Sequence, residues 1–303
     1  MSIVRPIVIY PFRHPENTKH LNALYWSLDQ KCKADPRYDA PTTVINRQTF
    51  YRSRNNKSFT DIYQSVKQQS SSIVDAWCVD TCQMWLAGFG STFDRAIDAS
   101  EEIEEEDIFW LIPGDFDYAS DKGQEVLKNM YLIPESIMTD SEFCIGQLEM
   151  HPNSSKHLID TYGTYGLLFN WFPAEAYEMR KIGIIRPRSE FFAIHHRFLR
   201  GALIDHRWFA YEQTIALLLQ AGDRRMSTVS LGGITDPSES RDSLTGALQQ
   251  IERTERVLKV AWRDKKMRDR ANDWVKDFRI LEERSKEIIG AAITILNNSL
   301  THC

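Results

Sequence analysis

Residues 108–112 read Ile-Phe-Trp-Leu-Ile, an apolar run with no polar position in it. A strand with one wet face would alternate. A short unbroken run, closed by Pro113 and Gly114, reads instead as a strand buried on both faces. Such a strand needs a covering layer above and another below. That requirement points to a mostly parallel sheet flanked by helices, an α/β chain.

The rest of the chain supplies strands and helices in alternation. Residues 7–10 form a short β-branched run ended by Pro11, and from Asn17 the residues Leu21, Leu24, Tyr25 and Leu28 recur at helical spacing. Residues 41–46 read as a second strand, and 58–73 as a helix with Ser58 at its N-cap. Segment 74–80 fits strand or helix, and 84–100 reads as helical from Ser91. Further strands are expected at 142–150 and 227–231, with a strong helix over 208–223 stopped by Gly222. The acidic stretch 101–107 reads as a solvated loop or helix end.

After a cluster of turn-formers at 232–243 the pattern changes. Apolar residues recur at three and four from 244 to 262, and again from 274 to 295, with the charged "RDKKMRDR" between them. This predicts two long amphipathic helices in an antiparallel hairpin. The expected division is 1–235 for the α/β unit and 236–303 for a helical segment. The wide apolar stripes of that segment lead to the expectation of a homodimer or higher oligomer through it.

Composition narrows the function classes. A net charge of −5 argues against a nucleic-acid binder, and no stretch of about 20 apolar residues offers a transmembrane segment. Arg5 and Pro6 interrupt the first apolar run, so no signal-peptide pattern is expected, and the chain is expected to be cytoplasmic, with membrane contact only at the periphery. Five scattered cysteines, Cys32, Cys78, Cys82, Cys144 and Cys303, do not form a disulfide framework. G-x-S-x-G, P-loop, HExxH and G-x-G-x-x-G patterns are all missing from the places where they would act.

Asp115 and Asp117 follow the buried run immediately, where α/β sheets bind ligands. Two readings compete. Aspartates after Pro-Gly cap turns, and paired hard oxygens suit Mg²⁺ or Mn²⁺.

In this order of motifs the chain resembles the GT-A glycosyltransferases. The resemblance rests on "IVIYPFRHPE" (7–16), "GFGSTFDRAIDAS" (88–100), "FWLIPGDFDYAS" (109–120) and "RWFAYEQTIALLLQAGD" (207–223), and spans roughly residues 5–223. It implies a Rossmann-like GT-A sheet, a nucleotide-sugar donor, a hydroxyl-bearing acceptor, and Mn²⁺ or Mg²⁺ bridging the donor diphosphate. Residue by residue it implies Asp117 and Asp115 on the metal, with Asp115 also beside the donor ribose. Tyr10, Pro11, Arg13 and Arg95 would lie along the nucleotide-sugar.

The stretch 186–213 concentrates three histidines, five arginines and two glutamates. His195 or His196 is expected as a third metal ligand. Glu212, opening an apolar helix, is the expected base, and Glu190 and Tyr211 the expected acceptor contacts. The aromatics Tyr162, Tyr165, Phe169, Trp171 and Phe172 read as core. A sugar-phosphate nucleotidyltransferase and a non-catalytic GT-A-like scaffold are the alternative functions.

Overall fold

The computed structural model describes residues 2–10, 18–46, 72–76, 96–97, 100, 102–114, 116–200, 213–221, 225–234, 244–269 and 271–301. The strands are β1 (Val4–Tyr10), β2 (Thr42–Asn46), β3 (Ser72–Ala76), β4 (Ile108–Pro113), β5 (Phe143–Met150), β6 (Phe192–His195) and β7 (Met226–Ile234). They form one sheet in the order β3-β2-β1-β4-β6-β5-β7. β6 runs antiparallel to both its neighbours, β4 and β5, while all other pairs are parallel. β4 and β5 therefore point the same way, and their carboxyl ends share one edge of the sheet.

The run that demanded two covering layers has them. Phe109 and Leu111 face one core, with Ile7, Ile9, Phe143 and Ile145. Ile108, Trp110 and Ile112 face the other, with Val4, Val8 and Leu24. All five β4 side chains from Ile108 to Ile112 are fully buried. At about 1.5–3 kcal/mol for each large side chain, this strand is a principal stabilising element.

The second core is closed by α1 (Thr18–Ala34), α2 (Asp121–Asn129) and α3 (Leu132–Thr139). The first is closed by α4 (Ser155–Leu158), a π-helical turn (Ile159–Thr164), α5 (Tyr165–Trp171), α6 (Pro173–Lys181), α7 (His196–Arg200) and α8 (Gln213–Ala221). At the amino end of β4, Asp107 is buried and ties the strands together. It accepts from Arg5 Nε at 2.9 Å and Ile3 N at 3.3 Å. The acidic stretch is thus anchored rather than merely solvated.

The C-terminal helices, α9 (Leu244–Arg268) and α10 (Trp274–Thr301), form the expected hairpin. Trp262 meets Trp274, and Lys259 pairs with Glu282, so contacts run in opposite directions along the two helices. "RDKKMRDR" does not lie wholly in the turn, because α9 continues to Arg268.

The apolar stripes are covered by this same chain. Trp171 of α5 packs edge-on to Trp262 and to Phe278, and its Nε1 donates to the buried Ser285 Oγ at 2.8 Å. Asn170 Nδ2 donates to Leu281 O at 2.9 Å. The stripe that suggested an oligomer therefore has its partner within the chain.

Smaller differences are local. Ser72 and Ile73, read as the end of a helix, belong to β3 beside β2; residues 58–71 of that expected helix lie outside the described residues. Pro113 closes β4 rather than following it, at a strand end where its missing N–H costs little. β6 was hidden within the histidine-rich stretch. Tyr165, Trp171 and Phe172 are buried as expected, whereas Tyr162 and Phe169 are exposed. Cys32 and Cys144 are free thiols, and burial pushes Cys144 up to about 11, so it is inert at neutral pH. No helix among the described residues is long and apolar enough to cross a membrane.

Candidate active site

The site is built where β1 and β4 end side by side. Ile9 stands opposite Pro113, and Gly114 N donates to Ile9 O at 2.6 Å, carrying the pairing one residue beyond the strand. Tyr10, the last residue of β1, is thereby level with Gly114; only its backbone is described.

From Gly114 the chain turns sharply, and three contacts hold the turn. Tyr118 is fully buried and its hydroxyl donates to Pro113 O at 2.7 Å. Gln124 Nε2 donates to Tyr118 O at 2.5 Å. Ser120 caps α2, accepting from Gly123 N at 3.0 Å, while its Oγ donates to Asp117 O at 2.9 Å. Gly123 allows α2 to come this close, since a Cβ there would sit 1.8 Å from Asp117 O.

Asp117 is exposed at the top of this turn. Its Oδ1 accepts from Ala119 N at 3.1 Å and Ser120 N at 3.2 Å, an Asx turn that fixes the carboxylate's direction. Phe116, between the two aspartates, packs edge-on to Phe191 at 5.7 Å between ring centres. Asp115 lies outside the described residues, as do Pro11, Arg13, Arg95, Tyr211 and Glu212.

The Phe116–Phe191 contact brings the second half of the site to the first. Leu111 stands opposite Phe192 in the antiparallel register, so Glu190, two residues earlier, comes level with Pro113. Glu190 is half-buried beside the Asp117 turn. Its neighbour Ser189 is held from two sides: Ser189 Oγ donates to Gly146 O at 2.5 Å, and Thr214 Oγ1 donates to Ser189 O at 2.9 Å. Thr214 is the second residue of α8, and Glu212 directly precedes that helix. One hydrogen bond thus joins the start of the Glu212 helix to the entry of the Glu190 strand.

His195 and His196 are not part of this assembly. His195 stands opposite Ile108, at the amino end of β4. Five strand steps separate that level from Pro113, roughly 17 Å. His195 Nδ1 donates to Glu106 O and His196 Nδ1 to Glu104 O, both at 3.2 Å, so the two rings pin the acidic loop. Burial keeps His195 below its ordinary value, with Arg197 acting in the same direction. The expectation that either ring joins Asp117 on a metal is therefore corrected: an antiparallel β6 carries them to the opposite edge of the sheet.

Among the described residues no three His, Cys, Asp or Glu side chains gather as a metal cage. The fit for Mg²⁺ or Mn²⁺ rests on different grounds. These ions keep several waters and are commonly held by one or two carboxylates together with substrate phosphates. An exposed, oriented carboxylate at a strand end suits that mode.

The reading from sequence missed Gln147, Asp160, Arg186 and Arg188, which gather beside β5 at Gln147. Gln147 Oε1 accepts from Ile185 N at 3.0 Å and Arg186 N at 2.7 Å, fastening the loop that leads to Glu190. Asp160 is fully buried between Arg186 and Arg188, at 3.1 and 2.7 Å. The only local signal was "RPR" at 186–188.

The chain is similar in structure to mannosyl-3-phosphoglycerate synthase from Rubrobacter xylanophilus, with a TM-score of 0.56 and 13% identity, over 90% of this chain and 77% of that one. The chain has a GT-A-like fold. A second solved structure, an Rv0371C complex with manganese from Mycobacterium tuberculosis H37Rv, aligns with a TM-score of 0.41 and 10% identity, over 83% of this chain and 98% of that one. No family model and no curated protein matches the sequence. In the GT-A-like fold the Asp117 turn lies beyond the carboxyl ends of the strands, where open α/β sheets bind ligands.

Proposed function

We propose that this protein is a glycosyltransferase that moves a sugar from a nucleoside-diphosphate sugar to a hydroxyl-bearing acceptor. The observation that carries the reading is the convergence of Asp117, Glu190 and the start of α8 at the shared end of β1, β4 and β6. A GT-A-like sheet supports it by analogy of fold, which alone does not assign an activity.

In this reading the nucleotide-sugar lies across the ends of β1 and β4, and Tyr10, Pro11, Arg13 and Arg95 are the residues the resemblance implies as its contacts. Asp117 and Asp115 are the residues that would hold Mn²⁺ or Mg²⁺. When bound, the cation supplies Lewis-acid stabilisation of the departing diphosphate. The acceptor hydroxyl approaches from the β6 side. Glu212 or Glu190 accepts its proton at a carboxylate oxygen as the new C–O bond forms and the bond to the diphosphate breaks. The Asx turn holds the Asp117 carboxylate in place beforehand, so little reorganisation is needed when charge develops.

The test is a donor-hydrolysis and transfer screen over UDP-, GDP- and ADP-sugars, with Mn²⁺, with Mg²⁺ and with EDTA. The expected result is one preferred base, with turnover lost in EDTA. Hydrolysis of no donor, together with no thermal shift from any nucleoside diphosphate, would leave the scaffold reading in its place.

A further inference from the structure

The loop from α6 to β6 is pinned to Gln147 of β5, three residues before that strand ends. There it sets two arginines on one buried carboxylate, and they are not equivalent. Arg188 commits all its nitrogens: Nε and Nη2 donate to Asp160 Oδ1 at 2.9 and 2.7 Å, and Nη1 donates to Gln250 Oε1 at 2.7 Å. Arg186 commits only Nε, at 3.1 Å to Asp160 Oδ2, and its two Nη groups have no hydrogen-bond partner among the described residues. Asp160 is thus neutralised by Arg188, while Arg186 remains a partly exposed cation in a fixed orientation.

Its surroundings add to the positive charge. Arg180 is exposed, its guanidinium 3.8 Å from the centre of the Tyr165 ring. His157 meets Thr161 Oγ1 at 3.3 Å through Nε2. The charged groups acting on His157 are Asp160, Arg180, Arg186 and His151, one acid against three basic residues. Burial holds His157 below its ordinary value, and the basic neighbours reinforce this against Asp160. With Asp160 already paired to Arg188, the Arg186 and Arg180 guanidiniums are like charges whose repulsion an anion would relieve. Guanidinium Nη groups suit the planar fork of a carboxylate or the oxygens of a phosphate.

The cluster also lies at the right edge. β5 runs parallel to β4, and Ile145 and Leu111 both stand opposite Phe192, so Gln147, which holds Arg186, is level with Pro113 and the cluster lies toward the same end of the sheet as Asp117. β6 lies between β4 and β5, a lateral separation of two strand spacings, about 10 Å. That is the side away from β1.

We propose that Arg186 and Arg180, with His151 and His157, bind an anionic group, a phosphate or carboxylate, carried by the acceptor. The word acceptor rests on the glycosyltransferase reading; the anion site does not. The donor diphosphate is the competing source of the same chemistry, and the place the glycosyltransferase reading gives it, along β1 and β4, argues against it.

The test measures binding of inorganic phosphate, acetate and the preferred nucleoside diphosphate, each separately, to the full chain and to Arg186→Gln and Arg180→Gln. Arg188 still pairs with Asp160 in the first variant, and Arg180 is exposed, so the second leaves the buried pair untouched. Phosphate or acetate should bind the parent chain, and each variant should weaken it about tenfold, the worth of one charged hydrogen bond, with nucleoside diphosphate binding unchanged. Anion binding without any donor hydrolysis would uphold the site while the transferase reading fell. No binding of either anion to the parent chain would overturn the proposal, as would binding by both variants as tight as the parent's. Parallel loss of nucleoside diphosphate binding would also overturn it, giving these arginines to the donor.

Discussion

A β-carbon on Gly123 would stand 1.8 Å from the carbonyl oxygen of Asp117 and 2.7 Å from Tyr118 Cα. Glycine is a poor helix residue, costing about 1 kcal/mol relative to alanine. It is tolerated in the first turn of α2 because the helix and the Asp117 turn share that space.

Gly123→Ala should therefore destabilise the protein although it improves helix propensity. The clash is with backbone, so the turn must move, at a cost of about 1–3 kcal/mol. A urea melt should show the loss, and nucleoside-diphosphate binding in Mn²⁺ should weaken with it. A more stable Gly123→Ala with full binding would mean the turn shifts freely.

Asp117 has an observed role in its turn and a proposed one on the metal, and one substitution separates them. Asp117→Asn retains an oxygen to accept from Ala119 N and Ser120 N but removes the charge. Stability should change by less than about 0.5 kcal/mol. Metal-dependent turnover should be lost, because the hard anionic ligand is gone. Asp117→Ala should lose both turnover and about 1 kcal/mol of stability, by analogy with a lost cap. Full turnover by Asp117→Asn would remove this residue from the metal site.

In the proposed glycosyltransferase reaction, Glu190 and Glu212 are the two candidates for the base that takes the acceptor hydroxyl's proton. The base, changed to Gln, should lose on the order of 10²-fold or more in kcat with little change in stability. The other residue should raise KM or do nothing. If Glu212 only favours the helix start, Glu212→Gln should keep its rate and lose about 0.3–1 kcal/mol. Steady-state kinetics beside melting curves distinguishes these outcomes.

Asp160 gives an acid-side signature. Burial alone would raise its pKa, but Arg188 and Arg186 outweigh burial and hold it below the ordinary carboxylate value. A folded pKa below the unfolded one, about 3.9, means stability present above that pH and lost as pH falls through the folded value. Arg188→Ala should cost about 3 kcal/mol at pH 7, toward the low end for a broken buried pair because Arg186 remains. Urea midpoints at pH 7 and pH 3 should show a smaller difference between variant and parent at the lower pH.

Trp262 is the keystone of the C-terminal hairpin, touching Trp171, Trp274 and Phe278. Trp262→Ala should cost about 3–5 kcal/mol. Calorimetry would check this; a change under 1 kcal/mol would show that the helices are not held by this cluster.

The properties legible in the sequence were those set by neighbours along the chain. The unbroken run at 108–112 required a strand covered on both faces, because every side chain in it is apolar. The spacing of Leu21, Leu24 and Leu28 made α1 a helix, and the turn residues after Ile112 placed Asp117 beyond a strand end. Strand direction has no such local signature. His195 and Glu190 lie five residues apart and look equally available to a site. Only the antiparallel pairing of β6 sends one to the Asp117 edge and the other to the opposite edge. Asp160 finds Arg188 across 28 residues, and Trp171 finds Ser285 across 114. Such pairings arise from how the sheet is ordered and which helix covers it, a choice made by packing the whole chain into one core rather than by any segment's own preference.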